Sequence, residues 1–214
     1  MPVEWNEDDP RDAGVLEQNL DRVLREAARD APLRRPPTIL MAQEWHRQLY
    51  RDMRLPIPYY AGEIRDSDPR FPELFGYEVA IGPFPGVASW LVPEQLAEFE
   101  ATMQDAVALL DAAIPVNSQP IDAQVRSVMS LCANAHGEWV RIHPFANGNG
   151  RTARLWASWS ALRYGLPSFV RLKPRPEGSL YSVAAMRSMS GDHRAMVLVL
   201  EDMLDRHLNA SGPS

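Results

Sequence analysis

A chain of 214 residues is long enough to bury one sizeable core, and its 45% hydrophobic content is ordinary for a globular protein. The formal charge of −6 argues against a general nucleic-acid binder but leaves room for a local basic pocket. The single cysteine excludes an intrachain disulfide, and no apolar stretch is long enough to cross a bilayer. The acidic N-terminus is unlike a secretory signal, which predicts a cytoplasmic protein and leaves export without a cleaved signal open.

Apolar residues at helical spacing predict seven helices. Their approximate ranges are 15–27, 38–53, 93–110, 121–137, 151–164, 182–189 and 193–207. One region reads as strand, where EVAIG and VASWLV flank PFPG in the manner of a hairpin with a proline–glycine turn. The expected fold class is therefore all-α, a helical bundle with one small β-hairpin.

The predicted organisation has three parts: an N-terminal arm and helix over 1–37, a main domain over 38–208 and a flexible tail over 209–214. Residues 1–12 look loose because they are polar and contain prolines. The acidic side chains Asp8, Asp9 and Asp12 are interpreted as part of a solvated segment.

The segment with the clearest chemistry is His143 to Arg154, HPFANGNGRTAR, between two predicted helices. Glycines permit backbone angles at which successive N–H groups point at one anion, and a helix N-terminus adds its positive dipole end. Arg151 and Arg154 lie three apart, so both project from one helix face, and guanidinium groups bind phosphate oxygens in pairs. The combination predicts a polyphosphate site, with His143 beside it as a general base.

The string resembles the signature of the Fic family, H-P-F-x-[DE]-G-N-G-R-x-x-R. The resemblance extends to three further segments, together covering roughly residues 38 to 205. YYAGEIRDSD, from Tyr59, is similar to the family's W-A-G-x-x-R segment. VAIGPFPG, from Val79, occupies the place of its flap, and YSVAAMRSMSGD, from Tyr181, is similar to its downstream G-D stretch. The main domain would then be a Fic domain.

The resemblance implies a protein adenylyltransferase that moves AMP from ATP, with Mg²⁺, to a Ser, Thr or Tyr hydroxyl of a target protein. His143 would be the base, and Gly148, Asn149 and Gly150 would hold the α- and β-phosphates, with the Asn149 side chain near the α-phosphate. Arg151 and Arg154 would bind the β- and γ-phosphates. The flap, with Ile81, Gly82, Pro83 and Phe84, would pair with an extended target segment.

Asn147 departs from the signature, because the family places Asp or Glu there to coordinate Mg²⁺. An amide oxygen can ligate a hard cation but brings no charge, so Asn147 is expected to be a weak metal ligand. Three readings stay open: a slow or differently tuned transferase, a nucleotide-binding interaction module with little transfer, and a Fic enzyme that uses another phosphate-containing donor.

The inhibitory helix of many Fic proteins, [ST]-x-x-x-E-[GN], has no match in the chain. Its glutamate pairs with the second arginine, so Arg154 has no evident internal partner in the sequence. The resemblance then implies a toxin restrained by a separate small antitoxin protein, or an unregulated enzyme. The remaining expectations are no nucleic-acid or membrane partner, and a homo-oligomer stays open.

Other candidates favour structural roles. Cys132 and His136, four apart on one predicted helix, could supply half a zinc site, but core packing is the preferred interpretation. His46 and His193 have no partner visible in the sequence and are expected to be surface or structural residues.

Overall fold

The computed structural model describes residues 3–66 and 68–211. In that part of the chain there are seven α-helices, with short 3₁₀ turns between several of them. The helices are α1 (Ala13–Asp30), α2 (Ile39–Leu49), α3 (Val92–Ala113), α4 (Asp122–Ile142), α5 (Asn149–Arg163), α6 (Ser179–Ser188) and α7 (Arg194–Ser211). The strands β1 (Ala80–Ile81) and β2 (Phe84–Pro85) form an antiparallel pair. The predicted mostly helical fold with one hairpin is confirmed.

The centre of the fold is α5, in which every residue except Gly150 and Leu162 is buried. It packs along α4, and α3 and α7 lie against other faces of α4. An aromatic cluster of Trp45, Phe99, Trp139 and Trp156 joins α2, α3, α4 and α5, with ring centroids 4.9 to 5.8 Å apart. Aromatic side chains bury large apolar areas, so this cluster holds the two helices that flank the loop 143–148 in a fixed relation.

Helix ends differ from the sequence expectation at several places. The fourth helix continues past Gly137 to Ile142, so this glycine lies inside the helix, where it leaves room for a neighbouring side chain. A Cβ on Gly137 would lie 2.1 Å from Nδ1 of His193. The last helix extends to Ser211 and so includes the first three residues of the predicted tail 209–214. The remaining three lie outside the described residues.

The hairpin was predicted with the wrong turn. Ile81 pairs with Phe84, so the turn residues are Gly82 and Pro83, and PFPG itself contains the second strand. Gly82 has a φ of 59°. The first turn position of a type II′ turn requires a positive φ, which glycine adopts at little cost.

The segment VASWLV, predicted as a strand, is not one. It forms a 3₁₀ turn at Ser89–Leu91 and starts α3, because the Glu78 carboxylate accepts from the Ser89 N–H.

Among the described residues, no helix is both long and apolar enough to span a membrane.

Candidate active site

A cavity of about 550 Å³ lies where the C-terminal end of α4 meets the N-terminal end of α5. The hairpin, the N-terminal arm, the 172–175 loop and α6 form its other walls. Seven predicted site residues line it together: Ile81, His143, Asn147, Asn149, Gly150, Arg151 and Arg154. Gly148 lies at the same helix start, whereas Gly82, Pro83 and Phe84 lie at the hairpin tip and do not line the cavity.

His143 terminates α4 in a left-handed backbone conformation, with φ 54° and ψ 56°. This conformation is unfavourable for a residue with a side chain and persists only where the surroundings enforce it. The imidazole Nδ1 lies 3.1 Å from the Val140 carbonyl, which can only accept a hydrogen bond. Nδ1 therefore carries the proton, and Nε2 is left with its lone pair free to act as a base.

Burial, helped by the positive charge of Arg65 and opposed by the hydrogen bond to Val140, lowers the pKa of His143 to about 4. The imidazole is neutral at pH 7 as a result. A neutral imidazole is the form that accepts a proton from a hydroxyl.

Gly148 starts α5 with a φ of +76°. A Cβ here would lie 2.4 Å from the Tyr50 hydroxyl and 2.7 Å from Nε2 of His46, so both conformation and space require glycine. Asn149 and Gly150 form the first turn of α5, whose N–H groups have no acceptor within the helix. Such a helix start is an anion-binding position by geometry and by dipole.

His46 braces this loop from α2, a role the sequence did not reveal. Its Nδ1 accepts from the Gly62 N–H at 2.9 Å, and its Nε2 donates to the Asn147 carbonyl at 3.0 Å. The ring stacks on Phe145 with centroids 3.8 Å apart. Burial lowers the pKa of His46 to about 3, so the ring stays neutral and keeps this pattern of donor and acceptor.

The Asn149 side chain holds the loop closed. Its Oδ1 accepts from the Phe145 N–H and its Nδ2 donates to the Phe145 carbonyl, both at 2.9 Å. The residue is 1% exposed. The predicted position of this side chain near an α-phosphate stays a prediction, and its contacts here are with the backbone of the loop.

The two arginines of the loop have different partners. Arg154 donates from Nε and Nη2 to the Leu172 carbonyl, at 3.1 and 2.7 Å. Its Nη1 lies beside Gly150, 3.3 Å from where a Cβ would be. No ion pair with a carboxylate is found for Arg154 among the described residues, and its hydrogen-bond acceptor is a backbone carbonyl.

Arg151, in contrast, is 4% exposed and is paired with two carboxylates of the N-terminal arm. Its Nη1 donates to Glu7 Oε2 at 2.6 Å and to the Tyr50 hydroxyl at 2.8 Å. Its Nη2 donates to Asp8 Oδ1 at 2.6 Å, and the same oxygen lies 2.5 Å from Nζ of Lys173. The Asp8 carboxylate therefore lies between two cations of the cavity.

The prediction that residues 3–12 are loose is wrong, and so is the prediction that Asp12 is solvated, whereas Asp8 is half exposed. Trp5 is 6% exposed and packs on Tyr50 with ring centroids 4.6 Å apart. Asp12 is buried and accepts from the Arg54 N–H at 3.1 Å. Partial burial raises the pKa of Asp8, but Lys173 and Arg151 outweigh it, so the pKa lies below its ordinary value. An apolar anchor and matched charges hold the arm over the cavity.

Asn147 uses both ends of its amide. Oδ1 accepts from the Gly148 N–H at 2.9 Å, and Nδ2 donates to the Trp5 carbonyl at 2.8 Å. The described residues contain no cluster of three His, Cys, Asp or Glu that could hold a metal ion. The oxygens of Asn147, Glu7 and Asp8 line the cavity and suit a hard cation that arrives with phosphates, but they form no closed cage.

Restoring the carboxylate with Asn147→Asp is expected to lower the Mg²⁺ concentration needed for half-maximal nucleotide binding, because a charged oxygen binds a hard cation more strongly. A Mg²⁺ titration at fixed ATP measures this shift. Asn147→Ala is the matched control, since it also removes the hydrogen bond to Trp5 but adds no charge. Equal Mg²⁺ dependence in both variants would show that residue 147 is not a metal ligand.

Cys132 and His136 form no group of three His, Cys, Asp or Glu among the described residues. The Cys132 thiol is buried and lies 3.3 Å from the Ala157 carbonyl, and burial raises its pKa. His136 lines the cavity, and its Nε2 lies 2.7 Å from the Tyr181 hydroxyl. His193 contacts Glu138 at 2.7 Å in a separate, larger cavity of about 690 Å³ between α3 and α4, which none of the predicted site residues line.

The hairpin approaches the candidate base closely. A Cβ on Gly86 would lie 3.3 Å from Cβ of His143, and the Gly86 N–H donates to the Val79 carbonyl at 3.0 Å. Phe84 at the tip is 38% exposed. With two residues in each strand, the pair has open backbone edges beside the cavity, which is the geometry that strand addition uses.

Comparisons with known proteins agree with this site. The Fic/DOC family model matches residues 37–161, more than half of the chain. A protein named protein adenylyltransferase Fic from Drosophila virilis is 33% identical over 81 residues, which are 38% of this chain and 16% of that protein. The chain therefore spans about one sixth of this curated relative.

Two solved structures share the fold. A Fic domain containing signaling protein from Bacteroides thetaiotaomicron has a TM-score of 0.62 at 20% identity, covering 91% of this chain and 69% of the other. BepC from Bartonella tribocorum, solved with bound AMPPNP, has a TM-score of 0.57 at 16% identity, covering 89% and 86%. With its family model matched from residue 37 to 161, the chain belongs to the Fic/DOC family.

Proposed function

We propose that the chain is a protein adenylyltransferase that transfers AMP from ATP to a Ser, Thr or Tyr hydroxyl of a target protein. The observation that carries the proposal is the placement of the unprotonated Nε2 of His143 in one cavity with the start of α5 and the Arg154 guanidinium. A base and an anion site are the two elements that nucleotidyl transfer requires. The BepC structure with bound AMPPNP and the Drosophila protein's name support the nucleotide and the reaction.

In the proposed reaction the phosphates lie on the N–H groups of Asn149 and Gly150, with Arg154 at the distal end. The target hydroxyl gives its proton to Nε2 of His143 as its oxygen attacks the α-phosphorus. The bond between the α-phosphorus and the bridging oxygen breaks, and pyrophosphate leaves with its charge stabilised by the arginine side chains. Mg²⁺ bound to the phosphates would neutralise part of that charge, with Asn147 as its protein ligand.

The target would be a protein segment in extended conformation, paired along the hairpin edge near Ile81 and Phe84. Backbone hydrogen bonds to the hairpin would fix the distance of the hydroxyl from His143 without reading the target's sequence. Target choice would then depend on side-chain contacts with the exposed tip. Restraint by a separate small antitoxin protein belongs to this proposal, since no internal carboxylate pairs with Arg154 among the described residues.

A second candidate is favoured by the arm. Glu7 and Asp8 already neutralise Arg151, which leaves one fewer free cation for the phosphates. In this second reading the chain is an interaction module that binds a nucleotide and transfers nothing. A Fic enzyme with another phosphate-containing donor is the third reading, supported by the amide at Asn147. These candidates differ in which part of the nucleotide becomes attached to the target: the α-phosphate with AMP, another phosphate group, or nothing.

The deciding experiment is incubation with a cell lysate and ATP labelled at either the α- or the γ-phosphate, with Mg²⁺ or Mn²⁺. We expect α-label, and no γ-label, on a protein band, including the enzyme itself. His143→Ala should abolish the band. His207→Ala, on α7 outside the cavity, is the matched control and should keep it. Transfer of γ-label would indicate a kinase-like reaction, and ATP binding without label would indicate the module. Competition with GTP, UTP and CTP then identifies the preferred base.

A further inference from the structure

Arg65 is a fully buried cation, and within residues 3–66 and 68–211 its side-chain hydrogen bonds go to backbone carbonyls. Its guanidinium donates to four carbonyl oxygens, those of His143 at 2.8 Å, Tyr77 at 2.6 Å, Val87 at 3.1 Å and Ile142 at 3.1 Å. The nearest carboxylate in an ion pair, Glu78, is 4.0 Å away. At 4.0 Å this ion pair is long, and a fully buried charge needs further compensation.

The compensation comes from the end of α4. Ile142 and His143 carry carbonyls at the C-terminal end of this helix, where backbone acceptors lack partners and the dipole is negative. Burial lowers the pKa of Arg65 to about 10, with Glu78 opposing, so the group stays charged at neutral pH. Arg65 is thus the cationic cap of α4.

The same guanidinium also holds both ends of the hairpin. Tyr77 precedes β1 and Val87 follows β2, and each offers its carbonyl to Arg65. Two backbone bonds reinforce this junction: the Arg65 N–H donates to the Pro144 carbonyl at 2.8 Å, and the Val87 N–H donates to the Arg141 carbonyl at 3.2 Å. One side chain therefore joins the residue that carries the base to the two strands that would hold the target.

We propose that Arg65 is a positioning residue of this active site, which fixes His143 and the hairpin in one rigid frame. The inference rests on the proposed function only for its kinetic consequence. His143 is held in a left-handed conformation that its own side chain disfavours, and the bond from Nε of Arg65 to the His143 carbonyl opposes relaxation. Without it, the two backbone bonds alone would join the hairpin to the end of α4, and the distance between a bound hydroxyl and Nε2 of His143 would vary more.

The first test needs no enzymatic activity. Arg65→Lys and Arg65→Gln are compared with wild type by amide hydrogen exchange at Gly86, Val87 and His143, each of which donates a backbone hydrogen bond. We expect exchange at these three amides to rise about tenfold or more, the factor that corresponds to one lost charged hydrogen bond. ATP affinity should be unchanged, because Arg65 does not contact α5.

The matched control is Arg163→Lys. Arg163 is also buried and also donates to carbonyls, those of Arg34 and Arg35, but it lies at the far end of α5 and pairs in addition with the Asp111 carboxylate. It should leave exchange at the hairpin unchanged. If folded Arg65 variants keep wild-type exchange there, or if Arg163→Lys loosens the hairpin equally, the proposal is wrong.

The second test is kinetic. In the Arg65 variants kcat should fall and KM for the target should rise, while the ATP dissociation constant stays constant, and Arg65→Lys should retain more activity than Arg65→Gln because it keeps the charge. A proportional loss of kcat and ATP affinity would indicate a merely structural role. If the wild type transfers nothing but the variants loosen the hairpin, the coupling stands and the proposed function fails.

If neither variant folds, exchange in the wild-type protein decides. A shared frame predicts that Gly86, Val87 and His143 open together, with protection factors that agree within about tenfold. Independent opening of the hairpin and the end of α4 would overturn the proposal.

Discussion

His143→Ala is expected to slow AMP transfer by about 10²- to 10⁴-fold, the range that a general base supplies. ATP affinity should stay near wild type, because His143 contacts the backbone of α4 and the hairpin rather than the start of α5. Single-turnover transfer to a purified target, with ATP binding measured by calorimetry, separates the two quantities. His207→Ala serves again as control. A variant that loses transfer and ATP binding together would place His143 in nucleotide binding instead.

The pH dependence of kcat/KM gives a second result for the same residue. Because burial lowers the pKa of His143 to about 4, the base is deprotonated throughout the range from about pH 5.5 to 8. Protonation of this base should therefore cause no change in kcat/KM between about pH 5.5 and 8. We expect kcat/KM to fall only as the pH approaches about 4. A tenfold loss per pH unit starting near 6.5 would show an ordinary, solvated imidazole.

Measurement below about pH 5.5 would mix this effect with unfolding. His46 and His136 are also buried and neutral, and burial lowers the pKa of each to about 3. The unfolded chain takes up protons at these histidines below their ordinary pKa of 6.5, before the folded chain does. The stability they contribute is present above pH 6.5 and is lost as pH falls toward 3.

The largest change in nucleotide affinity is expected from the arm. Combining Glu7→Gln with Asp8→Asn should tighten ATP binding about tenfold, because it frees Arg151 and Lys173 and removes two negative charges from a cavity that must admit a triphosphate. This expected gain in ATP affinity is smaller than the loss of two buried ion pairs would produce. The Asp8 side chain is 52% exposed, so solvent screens its charge. Titration of ATP without target and without Mg²⁺, at low and moderate salt, measures the change apart from any loss of oxygen ligands for the cation.

Glu4→Gln is the matched control for this prediction. It removes one charge from the same arm, but its side chain is exposed and does not line the cavity. It should leave ATP affinity unchanged. Equal affinity in the double variant and the wild type would mean that the arm stays on Arg151 when nucleotide binds, and that the phosphates are held by α5 and Arg154 alone.

The errors of the sequence interpretation have physical causes. VASWLV was predicted as a strand because its apolar run fits one, but the Glu78 carboxylate on the Ser89 N–H and a proline at the first turn of α3 start a helix there. The arm was predicted to be solvated because residues 1–12 are polar and contain prolines. Arg151, the partner of Glu7 and Asp8, is 144 residues from Glu7 and could not be identified from the sequence.

By itself the sequence determined the helical fold and the composition of the loop at the candidate site, because both depend on residues that are neighbours along the chain. Helical periodicity repeats within a few positions, and His143 to Arg154 are contiguous. Only the tertiary structure decided what surrounds that loop: the pairing of Glu7 and Asp8 with Arg151, the brace from His46, and the four carbonyls on Arg65. These contacts join residues far apart in the sequence, and no repeating pattern of neighbouring residues indicates them. They depend on which side chains the folded chain buries next to one another.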